Sequence, residues 1–178
     1  MPTTEPTTAT ETAKDVVARL ATYPSAIIRP VPSFVFAVPR GWVIDDAPDS
    51  LAVIRTPEEV DGFWPNLVLS HDKIARTLDL EKAAQVTWAK LKAQIPDAEI
   101  DMQKLVKFSG LPMYLRGCTM KAPQSGRQLA QLHALFLAPV KGKGRTMDLF
   151  QFTGTAPRDQ AEQAAPVFMD TISSFRFT

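Results

Sequence analysis

Cysteine is nearly absent: Cys118 is the single one in 178 residues. An intrachain disulfide is therefore impossible, and a disulfide-stapled scaffold is excluded. Histidine is almost as scarce, with only His71 and His133. No HExxH, CxxC or EF-hand spacing occurs, so the sequence implies no metal site. A nucleophile elbow, a phosphate-binding loop and the GxGxxG fingerprint are all missing, so no catalytic residue and no cofactor is implied. No apolar run approaches the roughly 18 residues of a membrane span, and no signal-peptide core is present. Neither sign of charge dominates: 20 Lys and Arg stand against 19 Asp and Glu, a formal net charge of +1. Such a balance produces no whole-molecule field that would draw in nucleic acid or an acidic membrane.

What is present is an ordinary globular composition, 45% hydrophobic and 22% charged, in a chain long enough for one well-buried domain. Residues 1–10, MPTTEPTTAT, carry almost no apolar side chain and cannot offset their own chain entropy. They are expected to be disordered, with a single domain spanning 11–178. This head reads either as a native cytosolic tail or as a spacer behind an export signal. The densest basic cluster, Lys141, Lys143 and Arg145 among two glycines, reads as a solvated turn rather than a phosphate site.

From Glu99 to Phe108 the chain alternates. Ile100, Met102, Val106 and Phe108 take the even positions, while Glu99, Asp101, Gln103 and Lys107 take the odd. That period of two predicts a half-buried strand with one face on the core. Strands are further expected over Met113–Met120, Gln128–Ala138 and Thr146–Thr155, separated by Gly- or Pro-containing turns that suit an antiparallel meander. Upstream, Phe34, Phe36 and Val38 alternate before a turn at Pro39–Gly41, and short strands follow around Trp42–Ile44, Leu51–Ile54 and Asn66–Ser70. Three helices are expected. One covers 12–22. The clearest covers Asp79–Ile95, where Leu80, Ala84, Trp88, Leu91 and Ile95 recur at spacings of three and four before Pro96. The last covers Pro157–Ile172, capped by Thr155, with Pro166 expected to kink or split it. Phe175 and Phe177 add a terminal strand. The order predicts an α+β protein, an antiparallel sheet sandwiched by helices.

His133 within a strand pattern reads as a structural imidazole, and Cys118 likewise as a small buried hydrophobe. Acidic pairs at Asp45–Asp46 and Glu58–Glu59 mark solvated turns. The aromatics carry more. Trp42, Phe63 and Trp64 fall in or near turns, where Trp is either a plug for the end of the sandwich or a binding anchor. A pocket lined by Trp42, Trp64, Met113 and Tyr114 would take an apolar ligand if the sheet leaves a gap. Candidate binding residues are therefore Trp42, Phe63, Trp64, Met113 and Tyr114.

The segments SFVFAVPRGW (33–42), FWPNLVL (63–69), FSGLPMYLRG (108–117), MDLFQFTGTAP (147–157) and SSFRF (173–177) resemble the LpqN/LpqT family of actinobacterial, largely mycobacterial, lipoproteins. The resemblance spans roughly 24–177. It implies a Mog1/PsbP-like fold, a group whose members act by binding other proteins, and association with the cell envelope and its lipid-export machinery. It supplies no catalytic residue. The chain shows no lipobox cysteine, so the expected location is the envelope if an export signal precedes this segment and the cytoplasm otherwise. The expected function is a non-enzymatic adaptor acting through protein–protein contacts. The alternative is a carrier holding an apolar small molecule or lipid between sheet and helices.

Overall fold

The computed structural model describes residues 23–25, 29–140 and 144–178. The Thr/Pro-rich head, the helix expected over 12–22, and Lys141 and Lys143 lie outside the described residues. Residues 31–178 form one compact unit. This unit carries the fold.

Two short strands, β1 (Phe34–Val35) and β2 (Val43–Asp45), precede β3 (Ala52–Arg55) and the ten-residue β4 (Asn66–Ala75). Helix α1 (Leu80–Gln94) follows. Four long strands come next: β5 (Glu99–Phe108), β6 (Leu111–Lys121), β7 (Gln128–Leu137) and β8 (Thr146–Pro157). Helix α2 (Ala161–Ser174) and β9 (Arg176–Phe177) close the chain. The main sheet has seven strands in the order β2-β3-β4-β8-β7-β6-β5. Every neighbouring pair is antiparallel. The meander from β5 to β8 is the expected one. β1 and β9 form a separate two-stranded sheet.

Helix α1 forms where local signals agree. Asp79 Oδ1 accepts the Lys82 N–H at 2.8 Å as an N-cap, and this bond holds the Asp79 carboxyl below its usual range. Buried Ala83 and Ala84 let the helix approach the sheet closely, with Leu80 beside them, while Trp88, Leu91 and Ile95 pack on a second cluster around Ala98, Cys118, Met120 and Leu129. The other helix covers the opposite face. On β6, Arg116 reaches the Ala84 carbonyl of α1 at 2.6 Å, whereas its neighbour Leu115 joins the cluster that contains Phe168 and Ile172 of α2. Successive strand residues point to opposite faces, so the layers run helix, sheet, helix.

The larger core lies on the α2 face and is aromatic. Phe136 sits 4.6 Å from Phe175, which sits 5.0 Å from Phe177. Phe34, Phe36, Phe150 and Phe152 complete the cluster. The alternation of Phe34, Phe36 and Val38 is what turns all three inward, although only Phe34 and Val35 are hydrogen-bonded as strand.

Three sequence expectations are corrected. β5 is the edge strand of the sheet and is exposed from Glu99 to Leu105. A bulge between Ile100 and Met102 inverts its alternation, so Ile100 pairs with Cys118 and Met102 with Gly117, on opposite faces. Only Val106 and Phe108 of its apolar set pack on the core. Thr155 caps nothing, because β8 continues through it to Pro157 and buries it. Pro166 does not split α2, which runs unbroken from Ala161 to Ser174. The ring lies on the solvent side, where the missing N–H leaves the Glu162 carbonyl on the water-facing side of the helix rather than in the core.

A candidate protein-binding surface

The connection from β3 to β4 is built as a tight hairpin. Thr56 N–H donates to the Pro65 carbonyl at 3.1 Å. Inside that bond, Val60 and Phe63 exchange two backbone bonds, of 2.8 and 3.1 Å. Asp61 and Gly62 turn the corner at φ values of 52° and 74°. Two consecutive left-handed residues suit Asp-Gly, the signature of a two-residue primed turn. The Asn66 side-chain amide then donates to the Trp64 carbonyl at 2.9 Å. Phe63 is thus held by two backbone bonds to Val60, and the Trp64 carbonyl by the Asn66 side-chain amide.

Trp64 keeps 44% of its surface exposed. The Arg55 guanidinium lies 5.4 Å from its ring centroid, and Arg55 Nε donates to Asp45 Oδ2 at 2.5 Å. Phe63 is half-buried against the α1-side core, with the Arg127 guanidinium 5.9 Å from its ring. Arg127 Nη1 also donates to the Asp61 carbonyl at the hairpin tip. Two consecutive aromatic residues of this connection thus each meet an arginine from elsewhere in the chain.

The other three candidate residues go elsewhere. Met113 is fully buried in the α2-side core. Tyr114, next along the strand, takes the opposite face, where its hydroxyl bonds Gln103 Oε1 at 2.8 Å. Trp42 packs edge-on against Phe168 at 6.2 Å. The pocket expected among Trp42, Trp64, Met113 and Tyr114 therefore does not form. Met113 and Tyr114 are adjacent on β6, and strand geometry sends them to different sides of the sheet. Of the five candidates, Phe63 and Trp64, singled out by their place before Pro65, are the two that lie together on this connection. Sequence reasoning missed Arg55 and Arg127, which no local spacing links to those rings.

A pocket of about 220 Å³ does exist, between α2 and the sheet. Met102, Gly117, Leu132, Ala156, Ala165 and Phe168 line it. Its walls are apolar, and much of its room comes from small residues.

Burial pushes the Cys118 thiol up to about 11, with the Arg116 charge opposing weakly, so it is a poor nucleophile at neutral pH. His71 Nε2 and Lys73 Nζ both contact Asp148 Oδ1, at 2.9 and 3.0 Å. Burial raises the Asp148 pKa, and the two partners outweigh that and lower it. Among the described residues no group of three His, Cys, Asp or Glu side chains is placed to hold a metal ion. Among them too, no helix is long and apolar enough to cross a membrane.

No protein-family model matches the chain, and no curated protein is significantly similar to it. Solved structures are similar in fold. LpqN of Mycobacterium tuberculosis, described as involved in cell envelope biogenesis, superposes with a TM-score of 0.69 at 14% identity, covering 88% of this chain and 87% of that one. The PsbP protein of the cyanobacterium Synechocystis gives 0.54 at 18% identity over 89% and 99%. The Ran-binding protein Mog1p of Saccharomyces cerevisiae gives 0.54 at 14% identity over 81% and 89%. The chain has the Mog1/PsbP-like fold.

Proposed function

We propose that this chain is a non-enzymatic adaptor of the LpqN/LpqT kind that works in the actinobacterial cell envelope by binding another protein through the β3–β4 hairpin. Trp64 carries the reading: it is a large exposed aromatic stacked with an arginine. Trp and Arg are the residues that most often dominate binding energy, and a preformed anchor loses little entropy on association. Support also comes from the likeness in fold to a protein involved in cell envelope biogenesis and to a Ran-binding protein.

The experiment is quantitative capture from a mycobacterial envelope fraction with the wild-type chain and with Trp64→Ala. A protein enriched by the wild type should fall about tenfold or more with the variant, since an anchor of this type is worth about 2 kcal/mol or more. The melting temperature should stay nearly unchanged. Equal capture by both chains refutes the hairpin as the site.

The carrier reading has an observation of its own in the pocket beneath α2. At about 220 Å³ it falls below the roughly 300–1,000 Å³ of drug-sized sites but exceeds the roughly 150 Å³ that holds benzene. It suits a single ring or one short acyl end rather than a whole lipid. Ala165→Leu should fill it and abolish retention of such a ligand in native mass spectra. Retention that survives this substitution rules the pocket out.

A further inference from the structure

β5 is ten residues long and ends the sheet, so one of its edges carries backbone N–H and C=O groups that no described strand pairs. Such an edge invites another strand, and proteins commonly block it with charge or a bulge. β5 has both devices, but its charge is not arranged to repel a copy of itself. Glu99 and Asp101 lie in its first half, Lys104 and Lys107 in its second. A uniformly basic edge would repel its copy in any orientation. This one repels a parallel copy and attracts an antiparallel one. The balanced total charge of the chain adds no long-range repulsion between copies.

The exposed apolar residues follow the same symmetry. Ile100 and Leu105 are 37% and 56% exposed. Through the bulge, both lie on the α1 side of the sheet: Ile100 pairs with Cys118 and Leu105 with Tyr114, residues of even number on β6. When two copies meet with Gln103 opposite Gln103, Met102 faces Lys104. The extra residue of the bulge then brings Ile100 beside Leu105 and Asp101 against Lys104, twice over.

We infer that β5 is a self-complementary edge through which two copies of this chain pair antiparallel across a two-fold axis, joining their sheets into one. The contact is a single strand pair with few side chains behind it, so the dimer is weak and forms at high protein concentration. It does not depend on what the β3–β4 hairpin binds.

Sedimentation velocity of the full chain from micromolar to near-millimolar concentration tests this. The mass should rise from 19.6 kDa toward twice that value. Asp101→Lys alone and Lys104→Glu alone should each weaken association about tenfold, and the double variant should restore it, as a paired coupling requires. Circular dichroism checks that each variant is folded. Trp64→Ala should leave the dimer intact, which separates this test from that of the hairpin. A monomer at every concentration overturns the proposal and leaves the edge to a strand from another protein. A dimer indifferent to the single reversals, or unrepaired by the double one, also overturns it.

Discussion

Arg116 and His133 face each other across β6 and β7 on the α1 side of the sheet and are 1% and 4% exposed. The guanidinium is held between the rings of Trp88 and Tyr114, at 5.2 and 5.5 Å. Burial lowers its pKa, which the Tyr114 hydroxyl partly offsets. Nε and Nη1 of Arg116 and Nδ1 of His133 have no hydrogen-bond partner among the described residues. Gln131 donates its amide to Thr155 Oγ1 at 3.2 Å. Its oxygen therefore accepts from His133 Nε2 at 2.9 Å, which places the imidazole proton on Nε2. Burial, and then the Arg116 charge, push the His133 pKa down to about 4. The folded protein thus keeps this ring neutral while the unfolded chain protonates near its ordinary value of 6.5. Stability from this group is complete above about pH 6.5 and falls as pH drops toward 4, by up to about 3 kcal/mol. Asp148 acts only below its ordinary carboxylate range, so the windows separate. Urea unfolding at a series of pH values should show the decline in the wild type and a flatter profile for His133→Gln. Equal slopes in the two proteins contradict this account.

Gly154 on β8 shows how the elements fit. A methyl group placed there would lie 2.5 Å from Cδ2 of Phe168, the buried aromatic of α2. The glycine is present because α2 presses on the sheet at this point, not because a turn needs it. Gly154→Ala should lift or tilt α2 and cost about 1–3 kcal/mol, the usual penalty of overpacking. Thermal unfolding measures it, and an unchanged midpoint would mean that the helix is not seated there. The elements themselves differed in legibility. α1 was readable almost to the residue because its signals are local: a stripe at spacings of three and four faces the sheet, and Pro96 follows. The β5–β6 hairpin was readable for the same reason, since Ser109 and Gly110 turn it at φ values of 48° and 86°. The exposure of β5 was not. Its alternation is genuine, but the strand lies at the sheet edge and a bulge moves Ile100 to the other face. A period of two states that a strand has two kinds of side, not which one is covered.

At the scale of the molecule, an antiparallel sheet between helices, the meander from β5 to β8 and the alternation of Phe34, Phe36 and Val38 were legible in the sequence, although the strand expected there is hydrogen-bonded only at Phe34–Val35. These features rest on periodicity, capping and turn chemistry, which act over a few residues. The pairing of β4 with β8 and of β1 with β9 came only from the tertiary structure. So did the seating of Phe175 beneath Phe136, the pocket under α2, and the meeting of Arg55 and Arg127 with Trp64 and Phe63. Those contacts join segments tens of residues apart. Local preference is indifferent to them, and burial of the aromatic core together with the fixed spacing of the strands decides which distant side chains become neighbours.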